Sequence, residues 1–201
     1  MDASQFAQFE WLNQSRASFK AGRLGIEAPE KSDFFCNNGA LAQSGITPGT
    51  YCNAPFFHTR VSGDFVMRVQ VSHDFQDTYD AAAIMVMRDV QVWAKACFEK
   101  TDFGTHAVVS VVTNLNSDDA NGPNLDGKRA WLQVTRVGDS FAFHYSLDGQ
   151  QFYMMRFFNL PVGPTVMAGL VAQAPMGKGG QRYFEDFSLE HKTVKNIRFG
   201  E

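Results

Sequence analysis

Apolar and polar positions alternate with a period of two along most of the chain. Phe65, Met67, Val69 and Val71 fall on one side of an extended segment, with Val66, Arg68 and Gln70 on the other. That alternation marks a half-buried strand over 61–71. The same reading predicts strands over 82–87, 92–99, 108–113, 130–137, 141–146, 151–157, 165–173 and 183–189. Gly, Asp, Asn and Pro punctuate them. Val137-Gly138-Asp139-Ser140 and Leu147-Asp148-Gly149-Gln150 read as hairpin turns, because Gly and Asp tolerate positive φ. Residues 88–91 read as a further turn, 114–127 as a long polar loop, 175–180 as a Gly-rich loop and 36–51 as an irregular stretch. No long amphipathic helix, repeat or linker interrupts this pattern. The expectation is one all-β domain over residues 1–201, a two-sheet antiparallel jelly-roll sandwich.

Two stacked sheets share one apolar layer, so each strand should offer one apolar face to it. Val92, Ala94, Ala96 and Phe98 make such a face, as do Leu132 with Val134, and Val166, Ala168, Leu170 and Ala172. The opposite faces differ. Trp93, Lys95, Cys97 and Glu99 combine an indole with both signs of charge, unlike a dry core. Trp131, Gln133 and Thr135 form another mixed face, and Gln173 ends a third.

The order of several short segments resembles a known family. These are Tyr79 to Met87, Trp93 to Glu99, Val111 to Asn114 with Ser117-Asp118, Trp131 to Val134, Tyr145 to Gly149, Arg156, Gly169 to Pro175 and Phe184 to Phe187. Asp33-Phe34-Phe35 and Val61 to Phe65 are similar to its early motifs. The family is the uncharacterised concanavalin A-like one that includes the regulation-of-enolase protein and YesU-like bacterial proteins. The resemblance runs from Phe9 to Leu189 and implies a jelly roll of two curved antiparallel sheets. It implies no reaction. The chain departs from the family pattern at Ala81 and Ala83, where Gln and Gly are expected. It departs also at Cys97, where Gly is expected, and at Phe35, Asp119 and Phe152, where Trp is expected.

Composition narrows the classes. Nineteen Phe, five Tyr and three Trp, with 19% charged residues, exclude intrinsic disorder. A net charge of −3 gives no global basic field for nucleic acid or an anionic membrane. No apolar run approaches the roughly 20 residues that span a bilayer. The amino-terminal residues lack the basic start and apolar core of a signal peptide, so a cytoplasmic location is expected. Cys36, Cys52 and Cys97 then read as free thiols, with a Cys36–Cys52 bridge as the minor alternative. Oligomeric state is left open.

The favoured function is non-catalytic recognition of a carbohydrate or small polar ligand on the concave sheet. Trp93 and Trp131 would stack on a sugar, since aromatic faces pack on pyranose C–H surfaces. Lys95, Glu99, Asp80 and Gln173 would bond hydroxyls, and Tyr79 and Arg156 would join if their strands are neighbours. The bland alternative makes both indoles a secondary core. Lys95 and Glu99 lie about 13 Å apart along a strand and so would not pair directly. A second function is a glycan hydrolase pairing Glu99 with another groove carboxylate such as Asp80 or Asp186. The glucanase spacing Glu-x-Asp-x-x-Glu is absent, so no catalytic residue is assigned. A third is a protein-interaction or regulatory module. No cofactor is expected. The five histidines lack zinc spacing, and the 116–126 carboxylates do not match a calcium loop. His106 could reach the groove, but a hydrogen-bonded loop histidine is the stronger reading.

Overall fold

A computed structural model describes residues 1–37 and 49–201. A 3-10 turn, Ala3–Phe6, precedes the strands. In chain order these are β1 Glu10–Leu12, β2 Ala17–Lys20, β3 Arg23–Pro29, β4 Phe34–Phe35, β5 Tyr51–Cys52, β6 Phe56–Ser62, β7 Phe65–His73 and β8 Ala81–Asp89. There follow β9 Val92–Lys100, β10 His106–Asn114, β11 Asn116–Asn124, β12 Arg129–Val137, β13 Ser140–Ser146, β14 Tyr153–Asn159, β15 Thr165–Gln173 and β16 Gly179–Glu190. One seven-stranded sheet has the order β1-β6-β15-β8-β9-β10-β11, and a second has β14-β13-β12-β7-β16-β3-β2. All pairings are antiparallel. The chain therefore forms the expected all-β two-sheet sandwich. Among the described residues, no helix is long and apolar enough to cross a membrane.

The shared layer is built from the faces that period two selects. Phe65, Met67, Val69 and Val71 of β7 meet Ala94, Ala96 and Phe98 of β9 and Leu132 and Val134 of β12 in one buried cluster. Ala168, Leu170 and Ala172 of β15 complete it. Between β12 and β13 only Gly138 takes positive φ (60°), as a two-residue turn with Gly first requires.

Several elements differ from the sequence pattern. The stretch 61–71 is not one strand. It breaks at Gly63, whose φ is 71°. The polar stretch 114–127 is largely strand β11, paired with β10 from Asn114↔Asn116 to Ala107↔Asn124. Its composition suits an edge, where side chains meet water and only one flank of the backbone is paired. The Gly-rich loop is shorter than expected, because Gly179 and Gly180 already pair with Pro29 and Ala28. The hairpin of β2 and β3 turns through Ala21 and Gly22, at φ 51° and 77°. Residues 38–48 of the irregular stretch lie outside the described residues.

Gly169 marks the tightest approach within the first sheet. A methyl group there would run into the Phe57 carbonyl oxygen and come within 2.6 Å of the His58 Cα, both backbone atoms of β6. Neither can move without opening the β6–β15 pairing. Gly169→Ala is expected to cost about 2 kcal/mol or more through overpacking, read as a lowered urea midpoint.

Candidate functional site

The outer face of the first sheet holds the site. Cross-strand register arranges its side chains in rows. Gln173, Ala81, Glu99 and Ala107 cross β15, β8, β9 and β10 in one row. Val171, Ala83, Cys97 and Val109 form the next, and Gly169, Met85, Lys95, Val111 and Asp119 the third. Met167, Met87, Trp93 and Thr113 form the fourth.

A second apolar cluster covers the Trp93 end of this face. Phe34, Cys36, Ala54 and Phe56 pack there on Met85, Met87 and Trp93. Phe34 meets the indole edge-on at 5.9 Å. Trp93 has no exposed surface, and its Nε1–H donates to the Val90 carbonyl at 3.2 Å. Its role as a stacking platform is therefore corrected. The indole belongs to a covered secondary core.

At the other end the face opens into a hollow of about 770 Å³. Lys95, Glu99 and Gln173 line it from the sheet, with Val109 and Val111. Asp33, Phe35 and Tyr51 line it from the covering segments. Asp77 and Tyr79 contribute from the turn before β8, Asp102 from the turn after β9, and Asp119 from β11. Ala81, Ala83 and Cys97, between the polar positions, are buried in the second apolar cluster.

Lys95 is the most constrained polar group. Its ammonium donates to Asp33 Oδ1 at 2.9 Å, the Phe34 carbonyl at 2.8 Å and Gln173 Oε1 at 2.8 Å. Those three bonds use every donor an ammonium has. Burial alone would lower its pKa, but the Asp33 charge and hydrogen bond outweigh that and hold it above the ordinary value. Lys95 thus fixes the wall of the hollow, with no N–H left for a ligand. Gln173 is held in turn, its amide donating to the Tyr79 carbonyl at 3.3 Å.

Glu99 is the contrasting group. It is 7% exposed and lines the hollow, yet its carboxyl has neither a hydrogen bond nor an ion pair within 4.0 Å among the described residues. Burial pushes its pKa well above the carboxylate range. Lys95 opposes the rise, while Asp119, Asp33 and Asp102 add to it. Desolvation also raises Asp119, less strongly, since that residue sits at the exposed rim.

Three other expected site residues lie elsewhere. Asp80 is buried in an ion pair with Arg182 at 3.0 Å, and its Oδ2 accepts from the Asp77 N–H at 3.2 Å. It shapes the turn carrying Asp77 and Tyr79 and does not line the hollow. Trp131 lies on the second sheet, opposite Ser146 and Gln70. Its neighbours Ala130 and Leu132 belong to the shared core, so the indole faces the far exterior, where Gly149 packs against it. Arg156 joins the edges of the two sheets, reaching Asp118 Oδ1 at 3.1 Å and Ser110 Oγ at 3.5 Å. His106 stacks on Phe75 at 3.7 Å, away from the hollow. Asp186 pairs with none of the groove carboxylates, because β16 belongs to the second sheet.

The hollow also contains residues not expected from sequence. Asp33 and Asp119 had signals of their own, as part of an early motif and as a carboxylate in a polar stretch. Neither signal indicated this face. The three cysteines are free. Burial raises the Cys97 thiol well above its ordinary value and Cys52 to about 11, which leaves both as poor nucleophiles. Among the described residues no group of three His, Cys, Asp or Glu could hold a metal ion.

Fold and hollow together define a class: β-sandwich proteins with a recessed polar and aromatic site on one outer sheet face. Within it, the chain belongs to the family described as Protein of unknown function (DUF1349), whose model matches residues 11–192. It is 28% identical over 190 residues to Regulation of enolase protein 1 of Saccharomyces cerevisiae, covering 92% of this chain and 91% of that one. A crystal structure of a functionally unknown protein from the same yeast superposes with a TM-score of 0.82 at 27% identity, over 94% of this chain and 99% of that one. The carbohydrate binding module CBM66 from Bacillus subtilis superposes with a TM-score of 0.59 at 12% identity, over 92% and 96%. At that identity the likeness is one of fold alone.

The carboxyl at 99 gives a signed pH prediction. Its folded-state pKa lies above its ordinary 4.5, so the native protein holds the proton more tightly than the unfolded chain. Its contribution is complete below about pH 4.5 and is lost as pH rises toward the folded value. Lys95, also raised, adds no slope below its ordinary 10.5. Burial lowers the pKa of His58, His73 and His144, which adds a rise of stability over the same range, so the carboxyl is read as a difference. In urea denaturation at a series of pH values, the stability of Glu99→Gln relative to the wild type should grow as pH rises above 4.5.

Proposed function

We propose that the protein recognises a carbohydrate or sugar-like ligand in the hollow between Glu99 and the Tyr51–Tyr79 rim, without turning it over. The supporting observation is the composition and size of the recess. At about 770 Å³ it falls in the range of small-molecule sites. Tyr51 and Tyr79, 40% and 38% exposed, supply aromatic surface, and Glu99, Asp119 and the Gln173 amide supply polar groups. Sugars need both, apolar contact for C–H faces and fixed polar groups for hydroxyls. Lys95 acts through Asp33 and Gln173 as a positioning residue. The fold likeness to a carbohydrate binding module agrees with this reading. Phe35 and Asp119, two positions where the chain departs from the family pattern, both line the recess, so its ligand is expected to differ from those of its relatives.

Calorimetry against an oligosaccharide panel tests the proposal. Tyr79→Ala and Glu99→Ala should each weaken binding at least about tenfold, on the order of 1.4 kcal/mol. Trp131→Ala, on the far sheet, should leave it unchanged. Equal binding by all three variants would place the ligand elsewhere.

One observation favours a hydrolytic second reading. Burial raises the pKa of Glu99, Asp119 lines the same recess, and an acid with a companion carboxylate is what glycoside hydrolysis uses. Under the recognition reading, long incubation with oligosaccharides yields no new reducing ends. Turnover abolished by both Glu99→Gln and Asp119→Asn would assign the site to hydrolysis. A regulatory role through protein contacts agrees with the name of the yeast relative and is compatible with sugar recognition.

A further inference from the structure

The lining of the hollow is unbalanced in charge. Five carboxyl groups, Asp33, Asp77, Glu99, Asp102 and Asp119, face two ammonium groups, Lys31 and Lys95. Lys95 is already matched by Asp33 at 2.9 Å. Lys31 is exposed at the rim, where screening by water makes a lone charge a weak counterweight. With Glu99 left out, Asp77, Asp102 and Asp119 still outnumber Lys31, so negative charge is in excess where a ligand would sit.

A second, independent observation points to what would restore the balance. A buried carboxyl without a partner costs free energy unless a donor reaches it. Glu99 is such a group, more than nine-tenths buried and lining the recess. Its neighbours on β8 and β10, Ala81 and Ala107, have no side-chain donor to offer it, and Cys97 on the same strand has only a weak S–H. The rim adds exposed Tyr51 and Tyr79, whose rings attract cations through their quadrupoles.

We infer that the hollow selects sugars carrying a free amine, their ammonium pairing with Glu99 while the rim tyrosines flank the charge. This inference rests on the sugar-recognition reading and specifies its ligand. Neutral sugars would offer Glu99 no counter-charge against which to ionise, and acidic sugars would be repelled by the excess carboxylates. Proton balance follows from the pairing. Because the pKa of Glu99 is raised, an ammonium that pairs with it lowers that pKa again and favours loss of the carboxyl proton to the solvent. The groups facing that event are Lys95 on β9, Asp33 from the covering segment, Asp119 on β11, Asp102 after β9, and Asp77 and Tyr79 before β8.

Three β-1,4-linked oligosaccharides of equal length isolate the amine. Chitosan, chitin and cellulose oligomers share the same backbone and differ only in amine, acetamide or hydroxyl at one ring carbon. Calorimetry at about pH 5, where the sugar amine is charged although its oxygen neighbours make it more acidic than a lysine, should show the chitosan oligomer binding at least about tenfold tighter than the others, on the order of 1.4 kcal/mol. Repeating it in buffers of different ionisation enthalpy should show proton release on chitosan binding. Glu99→Gln, which keeps the shape, should remove both the preference and the proton release, with its thermal midpoint not lowered. Equal binding of all three oligomers would overturn the amine inference and leave sugar recognition standing. So would a preference that survives in Glu99→Gln, since bulk negative charge would then explain it. Binding of none of the three, nor of any member of the wider panel, would sink the recognition reading as well.

Discussion

One buried ammonium ties together parts of the chain that lie far apart in sequence. Lys95 projects from β9, and its three acceptors come from Asp33, Phe34 and the end of β15. Removing such a charge from water costs several kcal/mol unless geometry and hydrogen bonds offset it. Here every donor has an acceptor at 2.8 to 2.9 Å. The covering segment is thus held at one height over the sheet. On one side of that contact the segment seals Trp93 into a dry layer. On the other, Asp33, Phe35 and Tyr51 form the wall of the recess. The same bond network that closes half the face defines the wall of the open half.

The chemistry of the recess follows from that division. Asp33 is committed to Lys95, so its charge is largely cancelled at short range. Glu99, two positions beyond Cys97 on the same strand, is too far along β9 to share the ammonium at contact distance. It feels Lys95 only through space, against the combined repulsion of Asp119, Asp33 and Asp102 and the dominant cost of burial. A strand that carries a lysine and a glutamate on one face therefore has the first fully bonded and the second without a bonded partner among the described residues.

The sandwich was legible because strand alternation is a local property. Val92 to Phe98 and Thr165 to Gln173 show their inward residues without reference to any other segment. What lies over the outward residues is not local. Trp93, Lys95 and Glu99 look alike in pattern, and the cover by Phe34, Cys36, Ala54 and Phe56 separates the indole from the open carboxyl. One signal did bear on this. Ala81 to Met87 is apolar at every position, which requires cover on both faces of β8. Strand β11 was hidden for a different reason. An edge strand needs only backbone pairing, and Asn, Ser and Asp provide that without an apolar alternation. The Ala21-Gly22 turn lacked the Asn or Asp that usually announces positive φ in succession. Trp131 could not be assigned to a sheet from its own strand, since both sheets present mixed outer faces.

Consecutive residues on that edge strand serve opposite surfaces. Asp118 stands opposite Val112 and anchors Arg156 where the two sheets meet, while Asp119 stands opposite Val111 beside the recess. Because a strand alternates sides, sliding β11 by a single position along β10 would exchange the two carboxylates. The clasp at the sandwich margin and the acidic wall of the recess would each then have to be made by the other residue of the pair. Alignment of a nine-residue polar ribbon is in this way coupled to what the neighbouring cavity can attract.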